Sequence, residues 1–262
     1  RGRRSECEHR LSKMSKFLDK LQRIWAGKAQ PIGFGPQTAK AKSPAMAIVT
    51  RLSAGEPDMA ALSGEEGADA LLVSIDDLER GAETLSRVSQ AAGDIPLGVS
   101  VEAVTKDDVE QLIELGCDFL LFNANEVPAA ILSETRIGKV MEVDPSLSDS
   151  LARTIARLPI DAVFFSAEQQ PLSVRQLMDY ARLANLVGKP SLAALPAALR
   201  REDIEGLWQA GVRGLVLTLE RQRLSQVKEM IQALPPTKKR AEKGMDVVLP
   251  AVELPGEEEE EI

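Results

Sequence analysis

Four ten-residue segments of this 262-residue chain repeat one pattern, a short lead-in followed by an apolar run that turns polar at its end. Gly67-Ala68-Asp69-Ala70-Leu71-Leu72-Val73-Ser74-Ile75-Asp76 aligns without gaps with Gly116-Cys117-Asp118-Phe119-Leu120-Leu121-Phe122-Asn123-Ala124-Asn125. The segments that begin at Pro159 and Gly211 follow the same template and end at Glu168 and Glu220. Apolar runs this short, bounded by turn residues, read as strands buried on both faces of a parallel sheet. Successive copies start about fifty residues apart, the length of two strand-helix units. A second set of runs fills the gaps: Ala45 to Arg51, Leu97 to Glu102, Lys139 to Asp144 and Ser191 to Leu195. Amphipathic stretches separate them, among them Lys106 to Leu115, Ser173 to Val187, Arg201 to Ala210 and Leu224 to Leu234. Thr105 and Ser173 stand where helix N-caps belong, and Gly67, Gly93, Gly116, Gly188 and Gly211 stand where a left-handed C-cap is wanted.

Eight such units and the Gly-Ala-Asp lead-in resemble the (β/α)8, or TIM, barrel superfamily over residues 45–234. The resemblance is nearest to the barrels of tryptophan and histidine biosynthesis and their ribulose-phosphate-binding relatives. It implies an α/β fold whose chemistry lies at the carboxyl ends of the strands. The alternative architecture is an open doubly wound sheet, but eight evenly spaced units close more naturally into a barrel. One feature departs from the phosphate-binding relatives. The segments expected after strands 7 and 8, Pro196-Ala197-Ala198-Leu199 and Arg221-Gln222-Arg223, lack the glycines that let backbone amides approach a phosphate. Arg200, Arg201, Arg221 and Arg223 lie close by as side-chain anion binders or as solvated surface.

Strand side chains alternate, so each repeat divides into two sets. Leu71, Val73 and Ile75, with their counterparts in the other copies, are apolar throughout and suit the helix-facing side. The other set turns polar, ending Ser74/Asp76, Asn123/Asn125, Ser166/Glu168 and Thr218/Glu220. In a barrel these converge at the catalytic face. The same parity adds Ser100 and Glu102, then Glu142 and Asp144, while the first strand offers Thr50 and Arg51. Ligand-binding positions are therefore expected at Ser74, Asp76, Ser100, Asn123, Asn125, Ser166, Thr218 and Glu220. Glu168 and Arg51 are the expected catalytic pair, Glu168 as a carboxylate whose pKa is raised to serve as the base.

What is missing narrows the chemistry. No Lys stands at a strand end, which disfavours Schiff-base catalysis. The single His, His9, lies outside the barrel, so imidazole acid/base chemistry and a His-rich zinc site have no donors. Clustered carboxylates are costly unless a cation, a base or shared protons neutralise them. Hard oxygen ligands select Mg2+ or Mn2+, and Glu102, Glu142 and Asp144 are the expected metal ligands, with Asn123 or Asn125 beside them. The opposing reading is that these acids point aside, pair with Arg51, Arg80, Arg136 or Arg200, or sit on exposed loops. Two functions follow as expectations. The first is a barrel binding a small molecule, with a divalent metal assisting a lyase or isomerase reaction on an oxo or hydroxy acid. The second is a catalytically inactive barrel acting as a ligand-binding or scaffold protein. No nucleotide-cofactor motif is present. Nucleic acid is excluded as a partner, because the net charge is -8 and basic residues are not interleaved with aromatics.

The ends read differently. Residues 1–13 are basic and precede Met14-Ser15-Lys16, so they read as a non-native or disordered leader. Met14 to Ala26 is an amphipathic helix with Phe17, Leu18, Leu21, Ile24 and Trp25 on one face, fit to plug the barrel or pair with a partner; a membrane surface is the less favoured alternative. Residues 27–44 are its connector, and residues 235–262, with Glu257 to Glu261 at their end, read as a disordered acidic tail. The two cysteines, Cys7 and Cys117, and the lack of an apolar run of spanning length fit a cytoplasmic protein.

Overall fold

The computed structural model describes residues 15–27, 44–53, 60–61, 63–64, 66–166, 172–195, 200–218 and 221–235. The expected leader, most of the connector and, beyond Pro235, the acidic tail lie outside the described residues.

Eight parallel strands pair in chain order and close on themselves, β1 against β8, which settles the barrel against the open sheet. They are β1 (Ala47–Ser53), β2 (Ala70–Ile75), β3 (Leu97–Val101), β4 (Phe119–Asn123), β5 (Gly138–Glu142), β6 (Ala162–Phe165), β7 (Ser191–Ala194) and β8 (Gly214–Thr218). The helices described are α1 (Lys16–Ala26), α2 (Leu78–Ala92), α3 (Lys106–Glu114), α4 (Asp149–Ile155), α5 (Val174–Val187), α6 (Arg201–Gln209) and α7 (Arg221–Gln232), and a 3-10 turn (Ala129–Ser133) joins β4 to β5. Thr105 and Ser173 each form a capping box, with Asp108 and Gln176, at the starts of α3 and α5. Gly188 closes α5 in the left-handed conformation at φ 63°.

Side-chain parity separates two cores. The larger lies between sheet and helices and takes up the all-apolar strand set, including Leu71, Val73, Leu120, Phe122, Val163, Phe165, Leu215 and Leu217. The smaller fills the barrel itself: Ala47, Val49, Ala70, Leu72, Phe119, Leu121, Val140, Ala162, Phe164, Leu192 and Val216 pack with Phe17, Leu18, Leu21 and Ile24 of α1. Helix α1 is therefore the plug of the barrel's amino end. Its apolar face is already buried in the protein, which removes the surface a membrane interface would need; Trp25 is only half-buried. Among the described residues no helix is long and apolar enough to cross a membrane.

The repeated aspartates build this end. Asp118, just before β4, accepts the Ser15 hydroxyl and the backbone N–H groups of Lys16 (2.8 Å) and Phe17 (3.0 Å), while the Ser15 hydroxyl oxygen accepts Leu18 N–H at 3.2 Å. The free amides of the helix start are thus satisfied by a carboxylate, which the helix dipole also favours. Asp69 accepts the Ile48 amide at 2.7 Å and pairs with Lys20 of α1, and Asp161 accepts the Lys139 amide at 2.8 Å. Each therefore ties a strand entrance to its neighbour or to the plug, a role in stability at the end opposite the carboxyl-end mouth.

Candidate active site at the carboxyl-end mouth

Above the Phe164 and Val216 level the barrel interior changes from apolar to polar. Ser100, Asn123, Glu142 and Ser166 are half-buried there, and Ser74 and Thr218 are exposed at the rim. Strand register places these groups side by side: Ser74 is opposite Ser100, Asn123 opposite Glu142, and Arg51 opposite Thr218. Hydroxyl, amide and charged side chains of neighbouring strands thus stand together at the carboxyl-end mouth.

Arg51 is the group that stands out. It faces inward from β1, half-buried, with its guanidinium carbon 5.7 Å from the centre of the Phe164 ring on β6, a cation-π arrangement. Burial pulls its pKa down and the charge of Glu142 on β5 acts in the opposite direction. The two do not form an ion pair: among the described residues Arg51 has no carboxylate within 4.0 Å. Its Nε is buried with no hydrogen-bond partner among the described residues. A charged donor shut away from water and left without an acceptor is costly, and an anion placed there would relieve that cost. Thr50, named with Arg51 from the sequence, faces the helices instead and is fully buried, its hydroxyl also without a partner.

The expected metal ligands do not come together. Among the described residues no group of three or more His, Cys, Asp or Glu is placed to hold a metal ion. Glu102 is exposed after β3, and Asp144 is exposed in the turn after β5, where it accepts the Ser146 amide at 2.7 Å, a contact that lowers its pKa. Only Glu142 of the three faces the interior, because it alone lies within a strand and shares parity with Val140. Asp76 and Asn125 are likewise exposed, and Asn125 donates its amide to the Asn123 side chain at 3.0 Å. Glu168 and Glu220 lie outside the described residues. Of the nearby arginines, Arg201 is committed to Glu205 at 2.9 Å.

Two other polar features are structural. A cleft of about 210 Å3 lies outside the barrel, between α3 and the 3-10 turn, lined by Glu110, Glu134 and Arg136 among others. Arg136 binds Glu134 at 2.7 Å and holds its carboxyl down at about 2, so the charges there are already matched. Cys117 is buried between sheet and helices, where burial pushes its thiol up to about 12 and keeps it protonated.

No family model matches the sequence, and no curated protein matches it. Solved structures do share its architecture. A protein from Aquifex aeolicus VF5 superposes with a TM-score of 0.59 at 12% identity, covering 83% of this chain and 98% of that one. A variant of the tryptophan synthase alpha-subunit from Pyrococcus furiosus gives 0.56 at 13% identity over 71% of this chain and 96% of that one. Tryptophan synthase from M. tuberculosis gives 0.56 at 13% identity over 85% and 98%. At such identities the likeness is one of fold, and it bears out the resemblance to the tryptophan-biosynthesis barrels read from the repeat. The chain is a (β/α)8 barrel similar in fold to the tryptophan synthase alpha-subunit, and no narrower family is shown.

Proposed function

We propose that the chain binds a small oxo or hydroxy acid at the carboxyl-end mouth and acts on it as a lyase or isomerase, with Arg51 taking the carboxylate. The observation that carries this is the buried Arg51 Nε without an acceptor, set inside a ring of Ser74, Ser100, Asn123, Ser166 and Thr218. A planar guanidinium suits a carboxylate because its N–H groups match the spacing of the two oxygens. The likeness to a barrel that carries out a biosynthetic reaction supports an enzyme, and the active face of such barrels is the one Arg51 occupies. Proton transfer falls to a carboxylate, since the strand ends carry no Lys or His. Divalent-metal assistance drops out of the proposal, because the three acids it needs are not gathered among the described residues.

The test is ligand-observed NMR with a panel of small two- to four-carbon acids, followed by a search for turnover of any acid that binds. Wild type binds at least one acid, and Arg51→Gln weakens it by about ten- to a hundredfold, the loss of one charge-assisted hydrogen bond of roughly 1.5–3 kcal/mol. Binding that is indifferent to Arg51→Gln places the ligand elsewhere and overturns the proposal. Arg51-dependent binding without turnover of any acid supports the ligand-binding or scaffold function in place of the enzymatic one.

A further inference from the structure

We infer that the acid bound at this mouth carries a hydroxyl as well as a carboxylate, Arg51 taking the carboxylate and Glu142 accepting the hydroxyl hydrogen. This rests on the reading above and narrows it from oxo or hydroxy acids to hydroxy acids. In the ring of eight strands β1 and β5 lie opposite one another, so Arg51 and Glu142 enter the interior from facing walls. They are near enough for the Glu142 charge to act on the guanidinium, but among the described residues they do not close into an ion pair. Phe164, the register partner of Glu142, lies against the guanidinium face and supports Arg51 from the β6 wall. Both ends of this pair have open valences. Arg51 Nε has no acceptor, and the half-buried Glu142 carboxylate receives no hydrogen bond among the described residues.

A molecule bridging that gap has its polarity dictated. It must present an anionic acceptor to Arg51 and a donor to Glu142. A hydroxy acid does both. An oxo acid turns a carbonyl oxygen toward Glu142, acceptor against acceptor, which leaves both without a donor. A phosphate dianion fits Arg51 but meets the Glu142 charge, and the sequences after Ala194 and Thr218 supply no glycine to lend it backbone amides, Pro196 to Leu199 and Leu219 to Arg223 being free of that residue. The site therefore discriminates by what stands at Glu142, and missing or repulsive partners for a buried polar group are the strongest discriminators a pocket has.

Calorimetric titration with three probes tests this: glycerate (carboxylate and hydroxyls), pyruvate (carboxylate, no hydroxyl) and glycerol 3-phosphate (hydroxyls and phosphate, no carboxylate). In wild type glycerate binds about tenfold or more tighter than pyruvate, and glycerol 3-phosphate binds most weakly. Glu142→Leu brings the glycerate-to-pyruvate ratio near one. Glu142→Gln, whose amide can accept from a hydroxyl or donate to a carbonyl oxygen, narrows the preference by admitting pyruvate, which a purely structural role for Glu142 would not produce. Far-UV circular dichroism and urea midpoints confirm that each variant is folded, and if Glu142→Leu is not, the Gln variant and the wild-type ratio decide. Pyruvate binding as tightly as glycerate in wild type, or a ratio unchanged by Glu142→Leu, overturns the inference while leaving the Arg51 reading intact. If no acid binds in an Arg51-dependent way, both fall, and the two charges are a solvent-bridged structural pair.

Discussion

Tyr180 shows what an unpartnered buried polar atom does in this fold. It is fully buried on α5, with its ring stacked on Phe165 of β6 at 4.8 Å between centroids, yet its hydroxyl has no partner among the described residues. Burial pushes its pKa up, as expected for a phenol whose charged form is poorly solvated. The ring contributes packing and the hydroxyl contributes only a desolvation cost. Tyr180→Phe should therefore leave stability unchanged or raise it by up to about 1 kcal/mol. Urea denaturation measures it, and a loss larger than 1 kcal/mol would mean the hydroxyl has a bonding partner after all. Arg51 is the same physical situation at higher stakes. Its guanidinium faces the barrel interior and not the back of the sheet, and the side chain is only half-buried, so a ligand at the mouth can meet the group whose Nε has no partner among the described residues. The sequence singled out Arg51 by its place at the end of an apolar strand, but nothing in it shows how far a long side chain extends across the interior. Parity along the chain therefore places Glu142 with Glu102 and Asp144, whereas the fold sets it across the barrel from Arg51, on which its charge acts.

The strands and the plug fit through a few glycines. Gly98 on β3 lies opposite Phe119 on β4, and a Cβ at Gly98 would overlap the Phe119 ring. Gly138, the first residue of β5, faces Leu18 of α1, where a Cβ would meet the leucine methyl and, at 2.8 Å, Ser15 Cβ. The Phe119 ring in turn contacts Phe17 of α1 at 4.9 Å. Missing side chains on β3 and β5 thus make room for large ones from β4 and α1. The amphipathic pattern of Met14 to Ala26 offers the plug, and the in-strand glycines mark where its side chains and Phe119 fit, a signal that hydrophobic periodicity does not carry. Gly98→Ala should destabilise the protein by about 1–3 kcal/mol through overpacking. Phe119→Leu in the same chain should recover part of that loss, although Phe119→Leu alone is destabilising. A double-mutant cycle on urea midpoints reads the coupling, and strict additivity of the two changes would refute the packing argument.

At the scale of the whole molecule, eight strands, their order of alternation and the inward set were legible because a parallel barrel imposes period two on every strand and repeats it eight times. The strand ends were less so. Asp76, Asn125 and Asp144 lie past the last paired residue of their strands, where the chain has left the sheet and alternation no longer governs direction. Helix α1 tests the integrity of the whole. Phe17, Leu18, Leu21 and Ile24 are nearly inaccessible, at 0–7% exposure, and each buried side chain of this size contributes about 1.5–3 kcal/mol before the entropy of fixing the helix is subtracted. Without α1 the amino-end surfaces of Phe119, Val140 and Leu192 face water, and Asp69 and Asp118 lose the partners that balance them. A chain beginning at Ala45 should therefore lose several kcal/mol in urea unfolding, bind a hydrophobic dye more strongly and unfold less cooperatively. Because the plug is held by side-chain burial and by the Asp118 cap, a synthetic peptide spanning Met14 to Gly27 should restore part of the midpoint when added in trans. The same peptide with Phe17→Asp and Leu21→Asp should not. A truncated chain with the wild-type urea midpoint would show that the interior core closes without α1, and the plug would then be an attachment with no part in the stability of the barrel.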